Sequence, residues 1–204
     1  MTKIPPHSIE TSEAGEDIFS YYRSFFKVKN LHDAGIITIK ASSTYVYGDS
    51  NRSDISSLIR GDDSTRWVSN FEENASFTIN FHSNYVALSS YSIYTGKGFR
   101  YMKSWDVLGI SKGRRYLIDR RNEEDFSNGK IFNQYNFKTY TCQYPGFFNK
   151  FIFILTGPDS LGDNILSLSY LKFFGIVTSN HVSESNQNRC NNKNHIGKSI
   201  LIFE

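Results

Sequence analysis

Cysteine is scarce: Cys142 and Cys190 are the only two in 204 residues. That excludes both a disulfide framework and a four-cysteine zinc site, and it points to free thiols in a reducing compartment. Long apolar runs are missing as well. No stretch approaches the roughly 20 apolar residues of a membrane-spanning helix, and residues 1–17 have no signal-type apolar core. The expectation is an intracellular, cytoplasmic protein with no membrane insertion. Charge of one sign is not in surplus either, since 23 Lys and Arg against 20 Asp and Glu leave a net +3. So near a balance gives no broad electropositive field, and no nucleic-acid partner is expected.

What the chain does have is aromatic side chains and turn formers. Phe (17) and Tyr (13) dominate the aromatics, beside 27 Ser, 18 Asn and 14 Gly but few Ala. This menu favours strands joined by polar turns over a helical bundle, so an all-β domain is the first expectation. One segment departs from it. Residues 16–27 set Ile18, Phe19, Tyr22, Phe25 and Phe26 at helical spacing, which predicts a short amphipathic helix that packs on the main domain or meets a partner.

From Gly35 onward the period is that of strands. Apolar or alternating runs occur over 36–41, 77–81, 85–94, 104–109, 116–119, 151–155 and 166–175. Gly- and Asp-rich clusters at 61–64, 96–98, 111–113, 127–129 and 157–160 punctuate them as turns. Many short strands so punctuated argue for a sandwich or barrel. Residues 178–204 form an Asn-rich polar tail with too little apolar surface for a core of its own, closing on Ile200-Leu-Ile-Phe203.

Catalytic motifs are absent. There is no His-Glu-x-x-His, no Gly-x-Ser-x-Gly and no Gly-x-x-x-x-Gly-Lys. Ser169 and Lys172 match Ser-x-x-Lys, but on an alternating strand they point to opposite faces. His181, Cys190 and His195 are loosely spaced in the polar tail and make a poor metal site. Lys112-Gly-Arg-Arg115 reads as a solvated hairpin turn.

Three stretches, taken together, carry a resemblance. They are Ile39-Lys-Ala-Ser-Ser43 with Leu58-Ile-Arg-Gly-Asp-Asp-Ser-Thr-Arg-Trp-Val-Ser69, then Lys103-Ser-Trp-Asp-Val-Leu-Gly109 with Leu117-Ile-Asp-Arg-Arg121, then Phe151-Ile-Phe-Ile-Leu-Thr-Gly-Pro158 with Leu166-Ser-Leu-Ser-Tyr-Leu-Lys-Phe-Phe-Gly175. In this order they resemble a discoidin domain, also called F5/8 type C or galactose-binding-like, and in particular the divergent intracellular versions of single-celled eukaryotes often found with BTB domains. The resemblance covers about 31–177. It implies an eight-stranded jelly-roll β-sandwich, preceded by an N-terminal extension (1–30) with the short helix and followed by the extended C-terminal tail (178–204). Trp67 and Trp105, at strand starts, would plug the space between the sheets. Asp119 with Arg120 and Arg121 would form an ion pair that fixes the following loop.

The resemblance also implies where ligands would be held. Three end loops map to 44–53 with Tyr45 and Tyr47, to 94–101 with Phe99, Arg100 and Tyr101, and to 157–164 with Asp159, Asp163 and Asn164. Aromatic faces beside amides and carboxylates suit stacking on a sugar or anchoring a protein. Members of the family commonly bind a structural calcium through Asp-Gly-Asp-x-x-Thr and a last-strand Glu. Here Arg60 replaces the first Asp, leaving Gly61, Asp62 and Thr65, and Tyr170 stands at the Glu position, so neither a bound metal nor another cofactor is expected. The resulting expectation is a non-enzymatic interaction or scaffold module of a larger intracellular assembly, cytoskeletal or axonemal and microtubule-associated, binding protein partners through the end loops and terminal extensions. The alternative is a glycan-binding, lectin-like domain. Peripheral membrane binding is disfavoured, because the loops lack a companion basic cluster.

Overall fold

The computed structural model of the chain describes residues 9–12, 15–46, 54–61, 65–95, 100–124, 137–179 and 202–203. Alternation builds its strands. In β4 (Ser76–Asn80) Phe77 and Ile79 are buried and their neighbours half-buried. β10 (Lys150–Leu155) lies antiparallel to it with Phe151 opposite Ile79 and Phe153 opposite Phe77. The Phe77 and Phe153 rings stack with centroids 4.9 Å apart, a cross-strand aromatic pair that fixes the register.

The larger sheet runs β7 (Arg114–Arg121), β6 (Trp105–Ser111), β10, β4, β2 (Thr38–Ala41), with β13 (Ile202–Phe203) on the outer edge of β7. The smaller runs β12 (Tyr170–Thr178), β5 (Tyr85–Tyr94), β8 (Phe137–Thr141). Two-residue strands β1 (Ile9–Glu10) and β9 (Phe147–Phe148) extend it on β12 and β5. β3 (Trp67–Val68) and β11 (Ser167–Leu168) pair separately. Among the described residues, the eight strands of four or more residues divide five to three between the two sheets, which is the antiparallel sandwich that the resemblance implied. β8 was not among the predicted strands. It is an edge strand in which Tyr140 alone is fully buried, so it lacks the alternation by which the others are read.

Two local devices shape the sheets. β6 and β7 join through Lys112 and Gly113, both at positive φ (50° and 78°), the conformation that a tight two-residue hairpin requires. Between β12 and β5 the register shifts at Phe174/Gly175. Gly175 has φ 149°, and a Cβ on it would fall 2.0 Å from the Ala87 carbonyl oxygen. The glycine of Phe-Phe-Gly is thus required by a bulge against β5.

The inner faces meet in an aromatic core. Phe173 of the small sheet reaches Phe151 and Phe153 of the large one at 5.4 and 6.0 Å. Helix α1 (Ile18–Phe26) belongs to the same core: Ile18, Phe19 and Tyr22 are fully buried, and the Phe19 ring is 5.0 Å from Phe173. Burying each such ring contributes about 1.5–3 kcal/mol. Asp17 caps α1 by accepting from the backbone N–H groups of Phe19 (2.9 Å) and Ser20 (3.3 Å), and Lys27 ends it in the left-handed region.

One polar chain crosses the core. The Trp105 indole donates to the Tyr91 hydroxyl (2.9 Å), which donates to Asp119 (2.6 Å). Arg121 grips the same carboxylate with two bonds (2.7 and 2.9 Å) and donates to the Thr141 carbonyl (2.6 Å). Arg120 meanwhile forks onto Asp106 (2.7 and 2.6 Å). Burial, then the Asp119 charge, pushes the Tyr91 phenol well above its usual range, so it stays a donor. Among the described residues no helix is long and apolar enough to cross a membrane.

Candidate functional site

β2, β5 and β10 end where β4, β6 and β12 begin, so their connections gather at one end of the sandwich. Hydrogen bonds stitch these loops together. Tyr45 N–H donates to the Val68 carbonyl (2.8 Å), Ser69 N–H to that of Leu166 (2.9 Å) and Glu72 N–H to that of Asn164 (3.0 Å). Ser43 Oγ accepts from Asn70 N–H (2.9 Å) and donates to Glu72 (2.6 Å), which also takes the Ser42 hydroxyl.

The 157–164 loop is organised by one carboxylate. Asp159 is 2% exposed. Its Oδ1 accepts from the backbone N–H groups of Leu161 (2.9 Å) and Asp163 (3.1 Å), an Asx-type turn. Its Oδ2 takes Arg100 Nη1, while Arg100 Nη2 donates to Asp163 (2.6 Å). Tyr101 and Ser160 exchange two further bonds, 2.9 Å from Ser160 N–H to the Tyr101 carbonyl and 3.1 Å from Tyr101 N–H to Ser160 Oγ. Nearby, Arg66 donates to Ser167 Oγ (2.6 Å); burial first, and then the Arg100 charge, lowers its pKa from the ordinary value.

On this stiff base stand exposed rings. Tyr45 and Phe71 meet edge to face with centroids 6.4 Å apart and are 37% and 65% exposed. Val46 and Leu161 are exposed too, so four of the six exposed large apolar side chains among the described residues belong to these loops. An apolar patch rimmed by carboxylate and amide groups is the form of a recognition surface.

The expected site residues fall into three groups. Tyr45 is at the surface of the patch. Arg100, Asp159 and Asp163 come together but engage one another; Tyr101 is half-buried against the core, and Asn164 is exposed with its carbonyl holding Glu72. Tyr47, Phe99 and Asp62 lie outside the described residues, as do His181, Cys190 and His195. Phe71, Glu72, Val46 and Leu161 were missed. The available signal was a phenylalanine inside the polar turn cluster Asn70-Phe-Glu-Glu-Asn74.

The implied calcium can be tested on the residues present. Calcium takes 6–8 oxygen ligands with carboxylates among them. Among the described residues no group of three acidic, His or Cys side chains could hold a metal. Arg60 pairs with Asp54 (2.8 Å) after the short 3₁₀ turn Ile55–Ile59. A second guanidinium, that of Arg23, lies against Gly61 and donates to the Ile59 carbonyl (2.7 Å). Thr65 keeps a buried hydroxyl without a hydrogen bond, yet the two guanidinium groups at the adjoining Ile59–Gly61 turn do not fit calcium.

No protein-family model and no curated protein matches the chain. Solved structures do. The family 32 carbohydrate-binding module of Clostridium perfringens NanJ, solved with galactose, is 18% identical, covers 69% of this chain and 94% of its own, and superposes with a TM-score of 0.51. CpGH89CBM32-5 of the same organism, solved with GalNAc-β-1,3-galactose, is 17% identical over 69% and 96%, with a TM-score of 0.55. Chitosan-binding module 1 of a Paenibacillus sp. IK-5 chitosanase/glucanase is 15% identical over 69% and 96%, with a TM-score of 0.51. These likenesses show the fold: the chain is built as a galactose-binding-like, discoidin-type sandwich.

Proposed function

We propose that the protein is a non-catalytic glycan-binding module that takes a sugar at its loop end. The observation that carries this reading is the exposed Tyr45–Phe71 pair, set on hydrogen-bonded loops with Glu72 and Asn164 at its rim. A pyranose offers an apolar C–H face to a ring and hydroxyls to carboxylate and amide groups, so both halves of the patch have a use. Sugars bound by structurally similar modules, galactose and GalNAc-β-1,3-galactose, make galactosides the first ligands to try.

A scaffold role in a cytoskeletal or axonemal assembly leans on the end loops and terminal extensions, but α1 of the N-terminal extension is packed into the core and the C-terminal tail lies largely outside the described residues, and no observation favours it over a glycan. The test is a glycan array followed by calorimetric titration. Tyr45→Ala and Phe71→Ala are each expected to weaken binding about tenfold or more while leaving thermal stability nearly unchanged. Absence of binding to any saccharide would remove the proposal.

A further inference from the structure

Arg23 projects from α1 to the junction of α1, the 3₁₀ turn Ile55–Ile59 and the start of β12. Its Nη1 donates to the Ile59 carbonyl (2.7 Å) and its Nη2 to Ser20 Oγ (2.6 Å). Ser20 Oγ in turn donates to Asp17 Oδ2 (2.6 Å), and the Tyr170 hydroxyl reaches the same oxygen at 3.5 Å. The guanidinium lies so close over Gly61 that a Cβ there would meet Nη2 at 2.6 Å and Cζ at 2.8 Å. Gly61, at φ 86°, is therefore the residue that lets the loop backbone close on the cation.

These are the positions of the degraded calcium motif. Its first carboxylate is Arg60, which turns to Asp54, and its last-strand carboxylate is Tyr170. Among the described residues, the acidic Asp17 nearby is held by the α1 cap. Asp62 of the motif lies outside the described residues; among those described, the Ile59 carbonyl and the Gly61 turn are arranged around a positive charge that comes from the helix.

We propose that Arg23 is the resident cation of this loop, performing with a guanidinium the holding role that the family resemblance would give to calcium, so that the module is metal-independent. α1 is then a working part of the sandwich, because it brings the charge that closes the 54–61 loop onto β12. The inference does not depend on what the loop end binds.

Thermal unfolding of the full chain in calcium chloride and in EDTA tests it. The wild type is expected to melt at the same temperature in both; a saturable rise with calcium overturns the proposal. Arg23→Ala should lower the melting temperature by about 5 °C, from loss of charged hydrogen bonds, and an unchanged melting temperature counts against it. Arg23→Ala/Arg60→Asp/Tyr170→Glu empties the place and restores the carboxylates. It should gain a calcium-dependent rise, and a folded but calcium-indifferent form overturns the assignment of this place. Should the alanine variants not fold, Arg23→Lys decides: it keeps the charge and should remain calcium-indifferent, whereas a calcium response would refute the role.

Discussion

Three arginine–aspartate pairs sit at three depths of the same molecule, and the comparison separates structure from recognition. Asp119 is fully buried between the sheets, and its partners Tyr91 and Arg121 come from β5 and β7. Asp159 is nearly as buried, yet it mostly serves its own loop, taking two of that loop's N–H groups and Arg100. Asp54 is half-exposed and pairs with Arg60 at the end of a single turn. The first ties layer to layer, the second shapes a loop and the third steadies a turn. With Asp119 and Asp159 both engaged internally, the proposed recognition surface rests instead on the exposed rings of Tyr45 and Phe71.

The largest effect expected is at Asp119. Asp119→Ala leaves Arg121 and the Tyr91 hydroxyl without their shared acceptor inside the sandwich, a loss of about 3–5 kcal/mol, or roughly 10 °C in melting temperature. Denaturant unfolding would measure it. Adding Arg121→Ala should cost much less than the sum of the two single changes; simple additivity would mean that the chain through Trp105, Tyr91, Asp119 and Arg121 is not one unit. Next comes Asp159→Ala, at about 1–3 kcal/mol. Its mark should be local, with faster amide exchange at Leu161 and Asp163 than in β10. A uniform loss of protection across both sheets would put Asp159 in the same class as Asp119.

The depth of these pairs also explains what could be read from the sequence. Phe77-Thr-Ile-Asn-Phe81 alternates because one face of β4 meets the core, and Trp105 marks a strand start because its indole enters the polar chain to Tyr91. The ion pairing of Asp119 was legible from three crowded charges at a strand end. β8 was not, since an edge strand with one fully buried ring has no period to detect. Phe71 escaped for the opposite reason: its ring is exposed, and a single aromatic in an acidic turn has no pattern. Arg23 reads as the polar side of an amphipathic helix. Its role depends on Ile59 and Gly61, 36 and 38 positions further along the chain, and only folding brings them together.

Asp54 gives the smallest effect and the clearest sign. Burial raises its pKa, but hydrogen bonds from Ser56 and the charge of Arg60 outweigh this and hold the carboxyl below its ordinary value of 3.8. A carboxylate depressed on folding stabilises the folded state above its unfolded pKa, and the contribution fades as pH falls from 3.8 through the lower folded value. Because the pair is half in solvent, its worth at neutral pH is small, about 0.5 kcal/mol after screening. Asp54→Asn should therefore be slightly less stable than the wild type at neutral pH, and the difference should close in acid and shrink with added salt. A difference that persists in acid would assign the stabilisation to an Asp54 cap geometry at Ser56 that the amide does not reproduce, and would leave charge as the organising force at the two deeper pairs alone.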